Sequence, residues 1–350
     1  MNMPSNNQSS QPLQIGNVSV NSRVMLAPMA GVTDVVFRGL VRRWAPDSLI
    51  CTEMISSNGL VYSKRFDAPI LDKTITDQPI AYQLAAHREE VLLEAARTII
   101  RDKNPDTIDL NMGCPVKKIT GNFEGCALMK EPDLAYKLIS SLVKALEQDG
   151  TPTPVTVKFR LGWDSQSMNY KEFALMCQDA GASMVTLHAR TRAQGYKPGC
   201  LWDAFGELKQ TVQIPVIANG DIYTQDDALH VINTYGVDGV MIGRGTLGQP
   251  WLIADIDRAL KTGERTPDAS VKKRLETAYE HARLLADYRG EVTGVKEMRR
   301  HLTDYVKGFQ GASQYRGRLT AVNTLKDVQA ILDEVLEAVE ALPQPLLVAV

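Results

Sequence analysis

Residues 156–189 read TVKFRLGWDSQSMNYKEFALMCQDAGASMVTLHA and contain one full period of the chain's architecture. An apolar, β-branched run (TVKFRL, 156–161) passes through a glycine-containing loop into a longer stretch with helical spacing. A second β-branched run (MVTLHA, 184–189) closes the unit. The same alternation extends on both sides, with strands predicted at 24–29 (VMLAPM), 49–54 (LICTEM), 80–85 (IAYQLA), 107–112 (TIDLNM), 215–220 (PVIANG) and 239–244 (GVMIGR), eight in all. Their apolar portions are nearly continuous, as in parallel strands buried on both faces, and their polar residues gather at the C-terminal ends. Eight such units predict an α/β fold, a TIM (β/α)8 barrel whose chemistry lies at the C-terminal rim of its strands. A doubly wound open sheet is the competing architecture. It is disfavoured because the loop after the first strand, APMAGVTD, lacks the G-x-G-x-x-G fingerprint and because polar residues end every strand, which suits a ring better than a crevice.

After residue 254 the strand rhythm gives way to helical spacing in SVKKRLETAYEHARLLADYRG (270–290), VKEMRRHLTDYVKGFQG (295–311) and TLKDVQAILDEVLEAVEAL (324–342). In the second, Val295, Met298, Leu302, Tyr305, Val306 and Phe309 form one apolar stripe. Ser270 reads as an N-cap, and Gly290 and Gly311 as helix stops. The predicted organisation is a disordered tail over 1–15, a barrel over 16–254, an all-α helical bundle domain over 255–342 and a tail over 343–350.

The chain has 350 residues, of which 44% are hydrophobic and 23% charged, so it can bury a substantial core. Its formal net charge of −2 excludes a global attraction to polyanions, and any nucleic-acid surface must be local. The start, MNMPSNNQSSQPLQIGN, has no basic or apolar leader pattern, and no segment is apolar enough for a membrane span. A cytoplasmic protein that does not engage membranes is expected. The five cysteines (51, 114, 126, 177 and 200) are dispersed and lack zinc-site spacing, so no metal is read. Cys51, Cys126 and Cys177 read as packing residues. Cys114 differs, because Asn111 ends a strand, Gly113 permits a turn and Pro115 directs the chain, presenting the thiol on a rim loop as a nucleophile or general acid.

Together these pieces resemble the tRNA-dihydrouridine synthase family, in its bacterial type. The resemblance is carried by APMAGVTD (27–34), TEM (52–54), the Gln of YQLA (82–85), NMGCP (111–115), VKFRLGW (157–163), LHARTRAQGY (187–196), ANGDI (218–222) and IGRGTLGQPW (242–251), with MRRHLTDYVKG extending it into the helical segment. It implies an FMN enzyme that reduces the C5=C6 bond of selected tRNA uridines, with NADPH as reductant, tRNA as partner, and a monomer as the working form. Hydride would pass from FMN N5 to C6, and Cys114 would give the proton to C5. Asn111 would orient the uracil or the flavin. Lys158 and Arg160 alternate on one strand and so share a face; the resemblance places Lys158 at the flavin and Arg160 at uracil carbonyls or neighbouring substrate. Gln83 and His188 would hydrogen-bond the flavin, and Pro28 and Met29 would pack on its ring, unless Met29 is plain core. Barrel loops after the last two strands commonly bind phosphate, which here means Asn219, Gly220, Asp221, Gly243 and Arg244, although Arg244 could instead pair with Asp221.

For tRNA itself, residues 296–318 carry Lys296, Arg299, Arg300, Lys307, Arg316 and Arg318 against Glu297 and Asp304, a local balance of 6 − 2 = +4. Lys117, Lys118, Arg190 and Arg192 could extend this face toward the site. Two alternatives stand beside the main reading: a dihydroorotate dehydrogenase-like FMN oxidoreductase, and a non-catalytic RNA-binding relative.

Overall fold

The computed structural model describes residues 11–63, 68–309 and 311–341. Ten strands are present among them: β1 Leu13–Ile15, β2 Val18–Val20, β3 Val24–Leu26, β4 Ile50–Ser56, β5 Ile80–Ala85, β6 Thr107–Met112, β7 Val155–Arg160, β8 Met184–His188, β9 Val216–Asn219 and β10 Gly239–Ile242. The strands β3 to β10 form a closed barrel in chain order, and β10 returns to pair with β3. Every barrel pairing is parallel, from Val240 beside Val24 round to His188 beside Asn219. All eight strands expected from the sequence are therefore found, and the open sheet is excluded. No helix among the described residues is long and apolar enough to cross a membrane.

The expected tail over 1–15 needs correction at its end. Leu13–Ile15 pairs antiparallel with Val18–Val20 across a turn in which Gly16 holds φ +58, a conformation that favours glycine. Leu13, Ile15 and Val20 are buried with Met25, Leu49, Cys51, Ala81, Met184 and Ile217, residues at or just before the N-terminal halves of barrel strands. This hairpin covers the barrel floor, opposite the C-terminal ends of the strands, and its apolar residues account for its order. Residues 1–10 lie outside the description, as does the tail expected over 343–350.

The chain divides into two compact units. The first runs to Gly245 and takes back Ile253–Arg265, while the second comprises Thr246–Leu252 and the described chain from Thr266 onward. The expected boundary at 254/255 was thus misplaced. Helix Leu252–Thr262 buries Ile253, Ile256 and Ala259, and Asp257 accepts a hydrogen bond from Ser22 Oγ at 2.7 Å. It is the helix that follows the eighth barrel strand, a role hidden by the loss of strand rhythm at that point.

The second unit contains helices Val271–Arg289, Glu291–Tyr305, Ala312–Leu319 and Leu325–Glu340. Ser270 Oγ accepts from Lys273 N at 3.2 Å, as its N-cap position predicts. Val295, Met298, Leu302, Tyr305 and Val306 are buried, in agreement with their stripe. Gly290 closes the first helix with φ +80. Gly311 does not close the second, which ends at Tyr305; with φ +85 it opens the third instead. Thr324 and Asp327 form a reciprocal capping box on the last helix.

Candidate active site

The C-terminal ends of β5 and β6 build a hydrogen-bonded support under the Cys114 loop. Asn111 Oδ1 accepts from the backbone N–H of Gly113 at 3.2 Å and of Cys114 at 2.9 Å. Its Nδ2 donates to Gln83 Oε1 at 2.7 Å, and Gln83 Nε2 donates to Asp109 Oδ2 at 2.7 Å. Asp109 is wholly buried and also accepts from Thr156 Oγ1 at 2.5 Å. Burial pushes its carboxyl up to about 6, against the pull of Thr156 and Gln83. Gly113 packs tightly against β7, since a Cβ there would lie 3.3 Å from the Phe159 backbone.

Cys114 is half-buried, and its carbonyl accepts from Cys126 N at 3.1 Å. Burial raises the thiol pKa, and the Val116 N–H with the charges of Arg160 and Lys158 only partly offsets this. The thiol is therefore held protonated, the state a general acid needs. Cys51, Cys126 and Cys177 are buried.

Lys158 Nζ donates to Asn219 Oδ1 at 2.8 Å, and Asn219 Nδ2 donates to Met241 O at 2.7 Å. Burial and then the Arg160 charge lower the Lys158 ammonium to about 8. Arg160, 1% exposed, donates through Nε to Gly113 O at 2.8 Å and through Nη1 to Thr191 O and Gly195 O at 3.0 and 2.8 Å. It clamps the Cys114 loop to the loop after β8, and Nη2 is the part of its fork not used in that clamp. Its guanidinium also lies 5.4 Å from the ring centre of exposed Tyr196.

Burial, with Lys158, Arg160, Arg190 and Arg244 around it, drives the His188 pKa well below its ordinary value. The ring is neutral. Its Nε2 sits 3.3 Å from Arg190 Nη1, a donor, so Nε2 is the acceptor and Nδ1 carries the proton. Arg190 itself is fully buried, donating to Lys197 O at 2.7 Å, to Cys200 Sγ at 2.9 Å and to Asp221 Oδ2. The expectation that Arg190 contacts tRNA is corrected here: a cation with no exposed surface, bonded to Lys197, Cys200 and Asp221, braces the rim from within.

Asp221, at φ +54, follows Gly220, at φ +118. Its carboxylate takes Arg190 on Oδ2 and Arg244 Nη2 on Oδ1 at 3.1 Å, so Arg244 has the pairing that the sequence left open. Burial alone would raise the Asp221 pKa, but the Arg190 hydrogen bond and the two cations outweigh it and lower it. A Cβ on Gly220 would meet Cys200 Sγ at 2.5 Å and His188 Cδ2 at 2.9 Å. Gly243 faces Met29 Sδ and Ala27 Cβ, each 3.6 Å from where its Cβ would be; Pro28, Met29 and Gly243 are all half-buried.

These residues fit an FMN by the chemistry of their donors. Four cations act on His188, and Asp221 answers two of them, which leaves a positive excess suited to a phosphate and to charge on a reduced ring. Asn111, Lys158, Asn219 and the His188 Nδ1–H add directed polar groups, while Gln83, 0% exposed, has its amide bonded to Asp109 and Asn111 beneath them.

In the second unit, Lys296 and Arg300 are exposed on helix Glu291–Tyr305. Arg299 is tied down, donating to Val322 O at 2.8 Å and Asn323 Oδ1 at 2.9 Å. Arg318 pairs with Glu334, and Lys307 with Asp304 at 3.6 Å. The local excess of cations counted along the chain is thus partly neutralised within the fold.

Sequence reasoning missed Asp109, Glu124, Tyr196 and Cys200. Asp109 stands two residues before Asn111 on a strand, and period-two alternation alone puts both on one face. Glu124, 2% exposed, accepts from Asn58 Nδ2 at 3.2 Å and lies 3.5 Å from His87 Nδ1; no local pattern marks such a loop contact.

The model of the family described as dihydrouridine synthase matches residues 25–341. The chain is 41% identical over 324 residues to a probable tRNA-dihydrouridine synthase 1 of Synechocystis sp., covering 93% of this chain and 89% of that one. It is 40% identical over 328 residues to a probable tRNA-dihydrouridine synthase of Rickettsia bellii, covering 93% and 97%. Among solved structures it is similar to the old yellow enzyme from Trypanosoma cruzi, with a TM-score of 0.53 at 11% identity over 76% of this chain and 95% of that one. It is also similar to histamine dehydrogenase from Rhizobium sp. 4-9, with a TM-score of 0.59 at 12% identity over 96% and 65%. At such identities the structural likeness concerns the fold alone.

Proposed function

The chain belongs to the dihydrouridine synthase family, and on that premise we propose that, as a flavin-dependent tRNA-dihydrouridine synthase, it saturates the C5=C6 bond of tRNA uridines with Cys114 as proton donor. The observation that carries this is the half-buried Cys114 on a rim loop whose backbone N–H groups, at Gly113 and Cys114, are held by Asn111 Oδ1, in the same rim as a cation-rich set of groups. Bound among Pro28, Met29, Gln83, Lys158, His188, Asn219, Gly220, Asp221, Gly243 and Arg244, FMN would supply hydride for C6, with NADPH as the source of its electrons.

The chain's own residues account for the rest. Lys158, its ammonium held by Asn219 Oδ1, would supply positive charge to a flavin ring that gains electron density on reduction. Neutral His188 offers a single N–H without adding a fifth charge. Hydride at C6 leaves carbanion or enolate character at C5, and the Cys114 thiol gives that carbon its proton, then recovers one from solvent as thiolate. Arg160, by holding Gly113 O, keeps the loop in the position from which this transfer occurs. Lys296 and Arg300 supply phosphate contacts for tRNA, and the uridine leaves its stack to enter the rim.

Family membership sets aside the dihydroorotate dehydrogenase-like reading. A non-catalytic relative is separated by experiment: purified yellow protein, NADPH and an unmodified tRNA transcript are incubated and the nucleosides analysed by mass spectrometry. Uridine carrying two added hydrogens is expected. A transcript left unchanged while the flavin is reduced and reoxidised would overturn the assignment.

A further inference from the structure

We infer that Asp109 is a positioning residue: it sets the direction of a hydrogen-bond chain that runs through Gln83 and Asn111 and ends on the backbone of the Cys114 loop. The inference rests on the reading of Cys114 as the acid and adds what holds that acid in place.

The argument is one of polarity. A side-chain amide is nearly symmetric in shape, but one end donates and the other accepts, so each of two amides in series has two orientations. Here both ends of the series are fixed. At one end Asp109, as a carboxylate, only accepts, so Gln83 must present its NH2 to Oδ2, as it does at 2.7 Å. At the other end the backbone N–H groups of Gly113 and Cys114 only donate, so Asn111 must present its oxygen. The contact between the amides, Asn111 Nδ2 to Gln83 Oε1 at 2.7 Å, is then satisfied in one direction alone. Gln83 and Asp109 are 0% and 1% exposed, so water cannot repair a reversed link, and an unmade buried hydrogen bond is costly. The second Asp109 oxygen takes the Thr156 hydroxyl, which completes the anchor and leaves the carboxylate no freedom to turn.

This logic predicts an unusual rescue. In Asn111→Asp the new carboxylate still accepts from Gly113 and Cys114, but its other oxygen faces Gln83 Oε1. Turning Gln83 only moves that oxygen against Asp109. Adding Asp109→Asn reverses the whole chain: the amide introduced at position 109 donates through its NH2 to Gln83 Oε1, Gln83 Nε2 donates to the carboxylate at position 111, and Thr156 still donates to position 109. Asp109→Asn alone should be mild, because the Thr156 hydroxyl can rotate to accept from the new NH2.

The test uses the flavin-loaded full chain and two readouts that need no turnover: the thermal midpoint, and the rate of iodoacetamide labelling at Cys114 mapped by mass spectrometry, with Cys200 as internal reference. N111D should lower the midpoint and speed Cys114 labelling roughly tenfold as the loop loosens, and D109N/N111D should return both to the D109N values. A double variant as damaged as, or worse than, N111D would overturn the inference. If N111D does not fold, D109N/T156V reads the same link. There the NH2 introduced at position 109 has no acceptor at position 156, so labelling should exceed the product of the two single effects, and simple multiplication would overturn the inference. Because neither readout depends on catalysis, failure of this chain is distinguishable from failure of Cys114 as the acid.

Discussion

Lowering the pH from 7 toward 4 should selectively weaken the helical unit, and the size of the effect follows from two histidines. His281 on Val271–Arg289 and His301 on Glu291–Tyr305 face each other with ring centres 4.7 Å apart, 0% and 3% exposed. His281 Nδ1 lies 3.2 Å from Tyr305 Oη. Burial, aided by the Arg300 charge, lowers the His301 pKa from 6.5 to about 4, and burial with His301 drives His281 well below its ordinary value. Both folded values are depressed, so the unfolded chain binds protons first as pH falls. The stability is fully present above pH 6.5 and is lost as pH falls toward 4. For His301, 6.5 − 4 = 2.5 pK units, which at ~1.36 kcal/mol per unit is roughly 3 kcal/mol. Urea midpoints followed by far-UV circular dichroism at several pH values would measure this, with His301→Gln removing one titrating site while leaving the carboxylates common to both proteins. The variant should lose stability less steeply between pH 6.5 and 4.5. Parallel curves for the two proteins would refute the assignment.

Three further outcomes follow from the same geometry. Gly294→Ala would place a Cβ 2.5 Å from Leu285 O and 2.6 Å from Ala286 Cα, so it should destabilise by about 1–3 kcal/mol, whereas Gly317→Ala, with nothing within 4 Å, should not; equal thermal midpoints would contradict this. Arg160→Lys keeps the charge but cannot reach Gly113, Thr191 and Gly195 together, so proteolysis in the 191–200 loop should accelerate and kcat should fall more than tRNA affinity. Unchanged cleavage and kcat would dismiss the clamp. Replacing Lys296 and Arg300 with serine should weaken tRNA binding and flatten its salt dependence by about one unit of slope per lost phosphate contact, while Arg318→Ser, already paired with Glu334, should change the slope little. A slope identical to wild type in the double variant would move the RNA face elsewhere.

The barrel was legible because each buried parallel strand is a local apolar run, and locality is what a sequence displays. The hairpin at Leu13–Val20 was missed because three-residue strands are too short to show a period, even though Leu13, Ile15, Val18 and Val20 alternate around Gly16. The boundary expected at 254/255 cuts helix Leu252–Thr262 because the strand rhythm ends before the last helix of the barrel does. At the rim, alternation was enough to put Lys158 and Arg160 on one face, but their partners lie far along the chain: Asn219 for the first, Gly195 for the second. Arg190 shows the limit most clearly. From the sequence it is a surface cation, yet Lys197, Cys200 and Asp221 surround it, and only the fold brings Asp221 there.

The half-reactions of Cys114→Ala, measured separately on the flavin-loaded protein, address the central claim most directly. Stopped-flow reduction by NADPH should proceed at the wild-type rate, while dihydrouridine formed in a single turnover with tRNA should fall by orders of magnitude. Formation of dihydrouridine at the wild-type rate would contradict the account, because some other group would then be delivering the proton to C5.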